Sequence, residues 1–126
     1  PMEVRCLTAN TKVREDAGRL AFMRGPVCYC MEEIDNGKNL HLLRVDTEKL
    51  CAMGIDRAVG VEKSSELRHE MWILKVPGRR LEKSAEEESL YADYAPAASA
   101  EVTLTFVPYY AWNNRGEGEM SVWVRE

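Results

Sequence analysis

Val102-Thr103-Leu104-Thr105-Phe106 is the stretch on which the fold is read. Apolar and polar residues alternate without a break, so Val102, Leu104 and Phe106 project to one side of an extended chain and both threonines to the other. β-Branched and aromatic residues suit such a pleated, half-buried surface. Pro108 ends the run, because it has no N–H to donate to a ladder.

Working outward, the same period recurs. Toward the N-terminus, Met71 to Val76 reads as a strand that Pro77-Gly78 closes with a turn, and Arg57 to Val61 as another. Asp46 is placed to cap one helical stretch through Met53, with Gly54 as its stop. Leu40 to Val45 is a further strand, and Asp35-Asn36-Gly37 is a turn signal. Val27-Cys28-Tyr29-Cys30-Met31 is apolar on both faces, as a central, doubly covered strand should be. Arg24-Gly25-Pro26 separates it from the strand Arg19 to Met23. Val4 to Leu7 is the first strand, followed by a polar, turn-like Asn10 to Gly18. Toward the C-terminus, Met120 to Arg125 is the last strand, with Met120, Val122 and Val124 inward. Ser84-x-x-Glu87 matches a capping box, so Ser84 to Tyr94 is either a short helix or a polar loop carrying a docked Leu90-Tyr91.

Short strands separated by turns, with no long amphipathic helix, define an all-β class. The expected architecture is a jelly-roll-like β-sandwich of about 7–9 antiparallel strands, because two apolar inner faces must pack on each other. A chain of 126 residues suits one domain spanning 1–126. Pro1-Met2 runs directly into strand-like sequence, and the chain is expected to be a fragment of a larger polypeptide.

The net charge of −4 disfavours nucleic acid as a partner, because phosphate binding needs a concentrated basic face. Arg79 and Arg80 are adjacent, but Glu82 and Glu86 to Glu88 follow, which reads as a solvated loop of mixed charge. No apolar run approaches the ~20 residues of a membrane-spanning helix, so no membrane partner is expected. Cys6, Cys28, Cys30 and Cys51 lack Cys-x-x-Cys spacing, and Cys28 and Cys30 alternate along one strand. Buried free thiols are expected, with no metal site and no cofactor in this chain. Unpaired thiols favour a reducing, cytoplasmic setting.

No nucleophile elbow, phosphate-cradling glycine loop or His-Glu-x-x-His motif is present. His41 lies within a strand and His69 in a charged segment, and both read as structural or surface residues. Glu32 and Glu33 are adjacent and read as a solvated strand end pointing two ways. Glu117 and Glu119 lie in a glycine-rich turn that would not hold them rigidly. No catalytic residue is assigned.

One segment stands out. Pro108-Tyr109-Tyr110-Ala111-Trp112-Asn113-Asn114-Arg115 gathers three aromatics, two amides and an arginine. Tyr109, Tyr110, Trp112, Asn113 and Arg115 are the candidates for an interface or a sugar contact. Aromatic faces stack on the C–H surfaces of sugars, and Tyr, Trp and Arg are enriched at protein interfaces. Core or corner packing is the third reading.

Arg24-Gly25-Pro26-Val27-Cys28-Tyr29-Cys30-Met31-Glu32 resembles the Arg-Gly-Pro signature of glycoside hydrolase family 127, which includes β-L-arabinofuranosidases. Pro108 to Gly116, then Gly118-Glu119-Met120-x-Val122-Trp123, resembles the closing segment of the same family. The resemblance implies an α/α-barrel upstream that carries the catalytic acid, the nucleophilic cysteine and zinc, followed by β-sandwich domains. This chain then corresponds to a C-terminal sandwich that supports the barrel, lines its mouth or mediates dimer contacts. The expected partners are that upstream barrel, a second copy in a homodimer, or a carbohydrate. An autonomous carbohydrate-binding module and a pure interaction domain are the alternatives.

Overall fold

The computed structural model describes residues 3–10, 12–64, 71–82, 98–112 and 118–126. Its strands are β1 (Val4–Thr8), β2 (Arg19–Arg24), β3 (Val27–Glu32), β4 (Leu43–Val45), β5 (Gly60–Ser64), β6 (Met71–Leu81), β7 (Ser99–Pro108), β8 (Met120–Ser121) and β9 (Val124–Arg125). Three short helices, α1 (Glu33–Asn36), α2 (Thr47–Met53) and α3 (Ile55–Ala58), lie between β3 and β5. The all-β reading therefore holds.

The strands close on themselves. β2 and β3 form a hairpin across Gly25-Pro26, with Arg24 opposite Val27 and Met23 opposite Cys28. Beyond those pairs the last segment of the chain fills the fork between them. β9 pairs with Arg19 and Leu20 of β2, and β8 with Met31 and Glu32 of β3. From β9 the ladder passes to β4, then β6, then β7, then back to β3. The circuit β2-β9-β4-β6-β7-β3 is a closed barrel of six strands, not two stacked sheets. This corrects the sandwich expectation. Alternation reports that one face of each strand is buried, which both architectures satisfy. Only hydrogen bonding between edges distinguishes them, and closure removes the exposed edges that invite aggregation. The pairing is also not wholly antiparallel, since β4 and β9 run parallel through Arg44 and Arg125.

The interior is filled as the alternation requires. Leu104 and Phe106 point inward, and Val102 packs on the margin of the core. Phe22 and Phe106 are fully buried with ring centroids 5.0 Å apart. Leu74 and Val76 of β6, Tyr29 and Met31 of β3, Leu43 and Val45 of β4, and Val124 of β9 complete the wall. Leu50 of α2 and Val59 close one side. β3 is central as expected: Tyr29, Cys30, Met31 and Glu32 are all buried, so both faces are covered.

Several local readings hold. The Asp46 carboxylate accepts the Lys49 N–H at 3.2 Å and caps α2, and Gly54 terminates it at φ 82°. Asp35-Asn36-Gly37 does reverse the chain, as one helical turn whose stop, Gly37, has φ 82°.

Others are corrected. Pro77-Gly78 is not a turn: it lies inside β6, opposite Thr103 and Val102. Pro77 donates nothing there, but its carbonyl accepts the Asp46 N–H at 3.0 Å. Gly78 is present because a Cβ would lie 2.6 Å from Leu104 Cγ and 2.7 Å from the Arg44 carbonyl oxygen. Leu40 to Leu42, His41 included, forms a 3-10 turn, and the strand begins only at Leu43. Arg57 falls in α3, and the following strand begins at Gly60. The last strand is broken at Val122 and Trp123, where the chain passes from β3 to β2. Arg79 and Arg80 belong to β6 rather than to a loop, with Arg79 3.9 Å from Asp46 and Arg80 donating to the Asn36 carbonyl at 2.6 Å. The helix or loop read at Ser84 to Tyr94, and His69, lie outside the described residues.

Candidate functional site

The aromatic segment begins where β7 runs out. Pro108, opposite Tyr29, ends the ladder, and Tyr109–Ala111 turns as a 3-10 helix closed by the Trp112 N–H on the Tyr109 carbonyl. Only Ala111 of this turn is buried. Tyr110 is 68 % exposed, and Tyr109 and Trp112 retain nearly half their surface with ring centroids 5.9 Å apart. Of the core-or-corner reading, the core half does not hold for these three rings. Asn113 and Arg115 lie outside the described residues.

The structure adds three residues that sequence reasoning missed, Arg24, Tyr29 and Trp72. The buried Tyr29 donates its hydroxyl to the Trp72 carbonyl at 2.7 Å. Trp72 is itself 43 % exposed, with the Arg24 guanidinium 5.2 Å from its ring centroid, a cation–π arrangement. Burial pushes the Tyr29 phenol above its ordinary value; Arg24 opposes that rise and the neighbouring Tyr110 adds to it. Arg24, Tyr29, Trp72 and Tyr110 thus form one neighbourhood. Trp72 has the same strand parity as the buried Leu74 and Val76, so alternation alone assigns it to the core.

The carboxylates considered in the sequence serve the backbone. Glu119 is held rigidly, contrary to the expectation for a glycine-rich turn: it accepts the Leu40 N–H at 2.8 Å and the Asn39 N–H at 3.1 Å. These two bonds, Leu40 first, hold its carboxyl below the usual range, with His41 and Arg80 assisting. Glu33 bonds the same segment twice, donating its N–H to the Glu119 carbonyl at 2.9 Å and accepting the Glu119 N–H at 3.0 Å. A Cβ at Gly118 would meet Glu33 Oε2 at 2.7 Å, which explains a glycine at that point of the closing motif. Glu32 is buried, not solvated, at the end of β3. Glu117 lies outside the described residues.

Of the four cysteines only Cys30 is fully buried; Cys6 and Cys28 are half-buried and Cys51 is exposed on α2, so the expectation of buried thiols holds for Cys30 alone. Burial, with Glu126 nearby, raises the Cys6 thiol above its ordinary value. Among the described residues, no three His, Cys, Asp or Glu side chains gather in a way that would hold a metal ion. No helix is long and apolar enough to cross a membrane.

Comparison with known proteins places this barrel. The chain is 38 % identical over 125 residues to a non-reducing end β-L-arabinofuranosidase of Bifidobacterium longum subsp. longum, covering 98 % of this chain and 18 % of that protein. A solved structure of a family 127 β-L-arabinofuranosidase from Geobacillus stearothermophilus T6 superposes with a TM-score of 0.84 at 36 % identity, over 100 % of this chain and 18 % of that one. A solved family 127 β-arabinofuranosidase gives 0.76 at 32 % identity, over 99 % of this chain and 17 % of that one. The chain thus spans less than a fifth of the length of these relatives. Residues 4–125 match the glycoside hydrolase family 127 C-terminal domain throughout, from β1 to β9, and the chain belongs to that family.

Proposed function

We propose that this chain is a non-catalytic accessory barrel of a β-L-arabinofuranosidase-like glycoside hydrolase, and that it supports an upstream catalytic domain. The observation that carries this reading is the aromatic surface at one end of the barrel. Tyr109, Tyr110, Trp112 and Trp72 are all substantially exposed. Exposed aromatic clusters of this kind, with an arginine among them, have the composition of interface centres rather than of a solvated surface. The first described strand starts beside that surface: Val4 pairs with Arg24, and the Glu3 carbonyl accepts the Gly25 N–H at 3.1 Å. The relatives extend far beyond the matched length, so a neighbouring domain is available to cover it.

The described carboxylates support the same reading, since Glu33 and Glu119 are engaged with backbone N–H groups rather than facing each other across an open cleft. Zinc, which the resemblance assigns to the barrel upstream, finds no donor set among the described residues, with Cys28 and Cys30 on β3, Cys6 on β1 and Cys51 on α2.

The test is dependence. Deleting this domain from the polypeptide that contains it should lower the melting temperature of the remainder and its activity together. Unchanged stability and activity after deletion would defeat the proposal. A carbohydrate-binding module is the second reading, favoured by the adjacent rings of Tyr109 and Trp112. It requires saturable sugar binding by this chain that Trp112→Ala abolishes. Self-association through the same rings, which a homodimer would use, is read by sedimentation of Tyr110→Ser against the native chain.

A further inference from the structure

A pocket of ≈ 340 Å³ opens at the other end of β2, between the 3-10 turn Leu40–Leu42 and the broken last strand. Leu40, Leu43, Trp123 and Val124 are among its apolar lining residues, and of these Leu40, Leu43 and Val124 are buried. Arg19, Arg125 and His41 stand at its rim. A concavity of a few hundred Å³ on which several polar groups converge has the size of a small-molecule site, and here the lining is more polar than apolar, which suits a hydroxylated ligand.

The arginines make this pocket chemically specific. Arg19 and Arg125 are directly opposite across β2 and β9, and Arg44 follows opposite Arg125 on β4. Arg79 comes next on β6, and Glu101 next on β7. Like charges placed directly opposite are destabilising unless something neutralises them. At the far end of the row Arg79 has Asp46 and Glu101, each at 3.9 Å. Arg44 donates to the His41 and Leu43 carbonyls, which carry no charge. Among the described residues no carboxylate forms an ion pair with Arg19, Arg44 or Arg125. Burial and the charge of Arg125 both pull the Arg44 guanidinium below its ordinary value, as expected where positive charge is left uncompensated.

We propose that this pocket binds a small organic carboxylate of monosaccharide size, a sugar acid in chemical class, with its carboxylate between Arg19 and Arg125. Guanidinium forks match a planar carboxylate in two parallel hydrogen bonds. Trp123, the one aromatic in the lining, offers a surface to the C–H face of the ring. His41 and Ser121 face its hydroxyls; the Ser121 hydroxyl already donates to the Trp123 carbonyl at 2.7 Å, which leaves its oxygen to accept. Glu119, also in the lining, opposes any anion, and a multiply charged phosphate more than a singly charged carboxylate. The site does not depend on the accessory role proposed above.

The experiment is a titration of this 126-residue chain with D-glucuronate, D-glucose and inorganic phosphate, following backbone amide shifts. Glucuronate should give saturable shifts at Arg19, His41, Trp123 and Arg125, and glucose none. Replacing both Arg19→Gln and Arg125→Gln should weaken binding roughly tenfold or more, the loss of a charge-assisted pair. Arg5→Gln, on the exposed face of β1, should leave it unchanged. If the double variant loses its fold, Arg125→Lys replaces it and should weaken binding by removing the fork while keeping the charge. The proposal is overturned if glucuronate gives no saturable shifts, if glucose or phosphate binds as well, or if the arginine variants bind as the native chain does.

Discussion

Asn36 acts as a strand partner for Thr105 through its side chain. Its Oδ1 accepts the Thr105 N–H at 2.8 Å, and its Nδ2 donates to the Thr105 carbonyl at 2.9 Å and to the Glu32 carbonyl at 3.0 Å. An amide offers a donor and an acceptor side by side, which is what a peptide unit offers. The helical turn of α1 is thereby fastened over the outer face of β7, and Thr105 is buried on the side opposite the core.

Asn36→Ala should therefore destabilise the chain by about 2 kcal/mol, because both backbone groups of Thr105 lose their partner in a part-buried place. Asn36→Asp should cost a comparable amount, since it keeps the acceptor and loses the donor. Urea denaturation followed by tryptophan fluorescence measures both. A loss below the error of the method would show that water replaces the amide freely.

Gly78 sits where β4, β6 and β7 come closest. Gly78→Ala would put a methyl group 2.7 Å from the Arg44 carbonyl oxygen, a backbone atom that cannot rotate away. The expected loss is about 1–3 kcal/mol, in the range of overpacked cores. The same change at Gly60, where the nearest atom is a side-chain carbon at 3.6 Å, should be far milder. The contrast between the two, in one denaturation series, isolates packing from loss of glycine flexibility.

Phe106 is fully buried against Phe22 at the centre of the barrel. Phe106→Ala should cost about 3–5 kcal/mol, and Phe106→Leu less, because it leaves a smaller void. Circular dichroism melts will order the two. A mild effect of the alanine variant would mean that the barrel centre is not packed as described.

Glu119 gives a pH dependence of definite sign. Its carboxyl is depressed in the folded chain by the Leu40 and Asn39 N–H groups, so the folded state binds its proton less readily than the unfolded state. The contribution is complete above the unfolded value, about 4.3 for glutamate, and is lost as pH falls through the folded one. Native and Glu119→Gln chains should thus differ most at neutral pH and converge in acid. A constant gap across the titration would contradict the assignment.

How far the sequence reaches is clear from particular elements. The strict alternation of Val102 to Phe106, the Asp46 cap and the Gly54 stop are local devices, written within a few residues, and each appears in the structure. Pro77-Gly78 misleads for a physical reason. Those residue types usually mark turns, yet here Pro77 needs no N–H and Gly78 is required by the approach of β4 and β7, which is a tertiary fact. Closure is equally non-local, since it depends on β9 entering the fork between β2 and β3. For the candidate surface, the richness of Tyr109 to Trp112 is visible in sequence, but its exposure is not, because a one-residue shift in register would reverse it. Trp72 and Arg24 join it only through folding. Nothing local marks Glu119 as a clamp, because its partners at Asn39 and Leu40 lie 80 and 79 residues away.

An accessory barrel of a glycoside hydrolase, as proposed above, leaves the chemistry to another part of the polypeptide. The most direct test of this is hydrolysis of an aryl β-L-arabinofuranoside by this chain alone and by a polypeptide that also carries the upstream region. Turnover is expected only in the longer polypeptide. Turnover by this chain alone would contradict it and return attention to Glu32, Glu33 and Glu119.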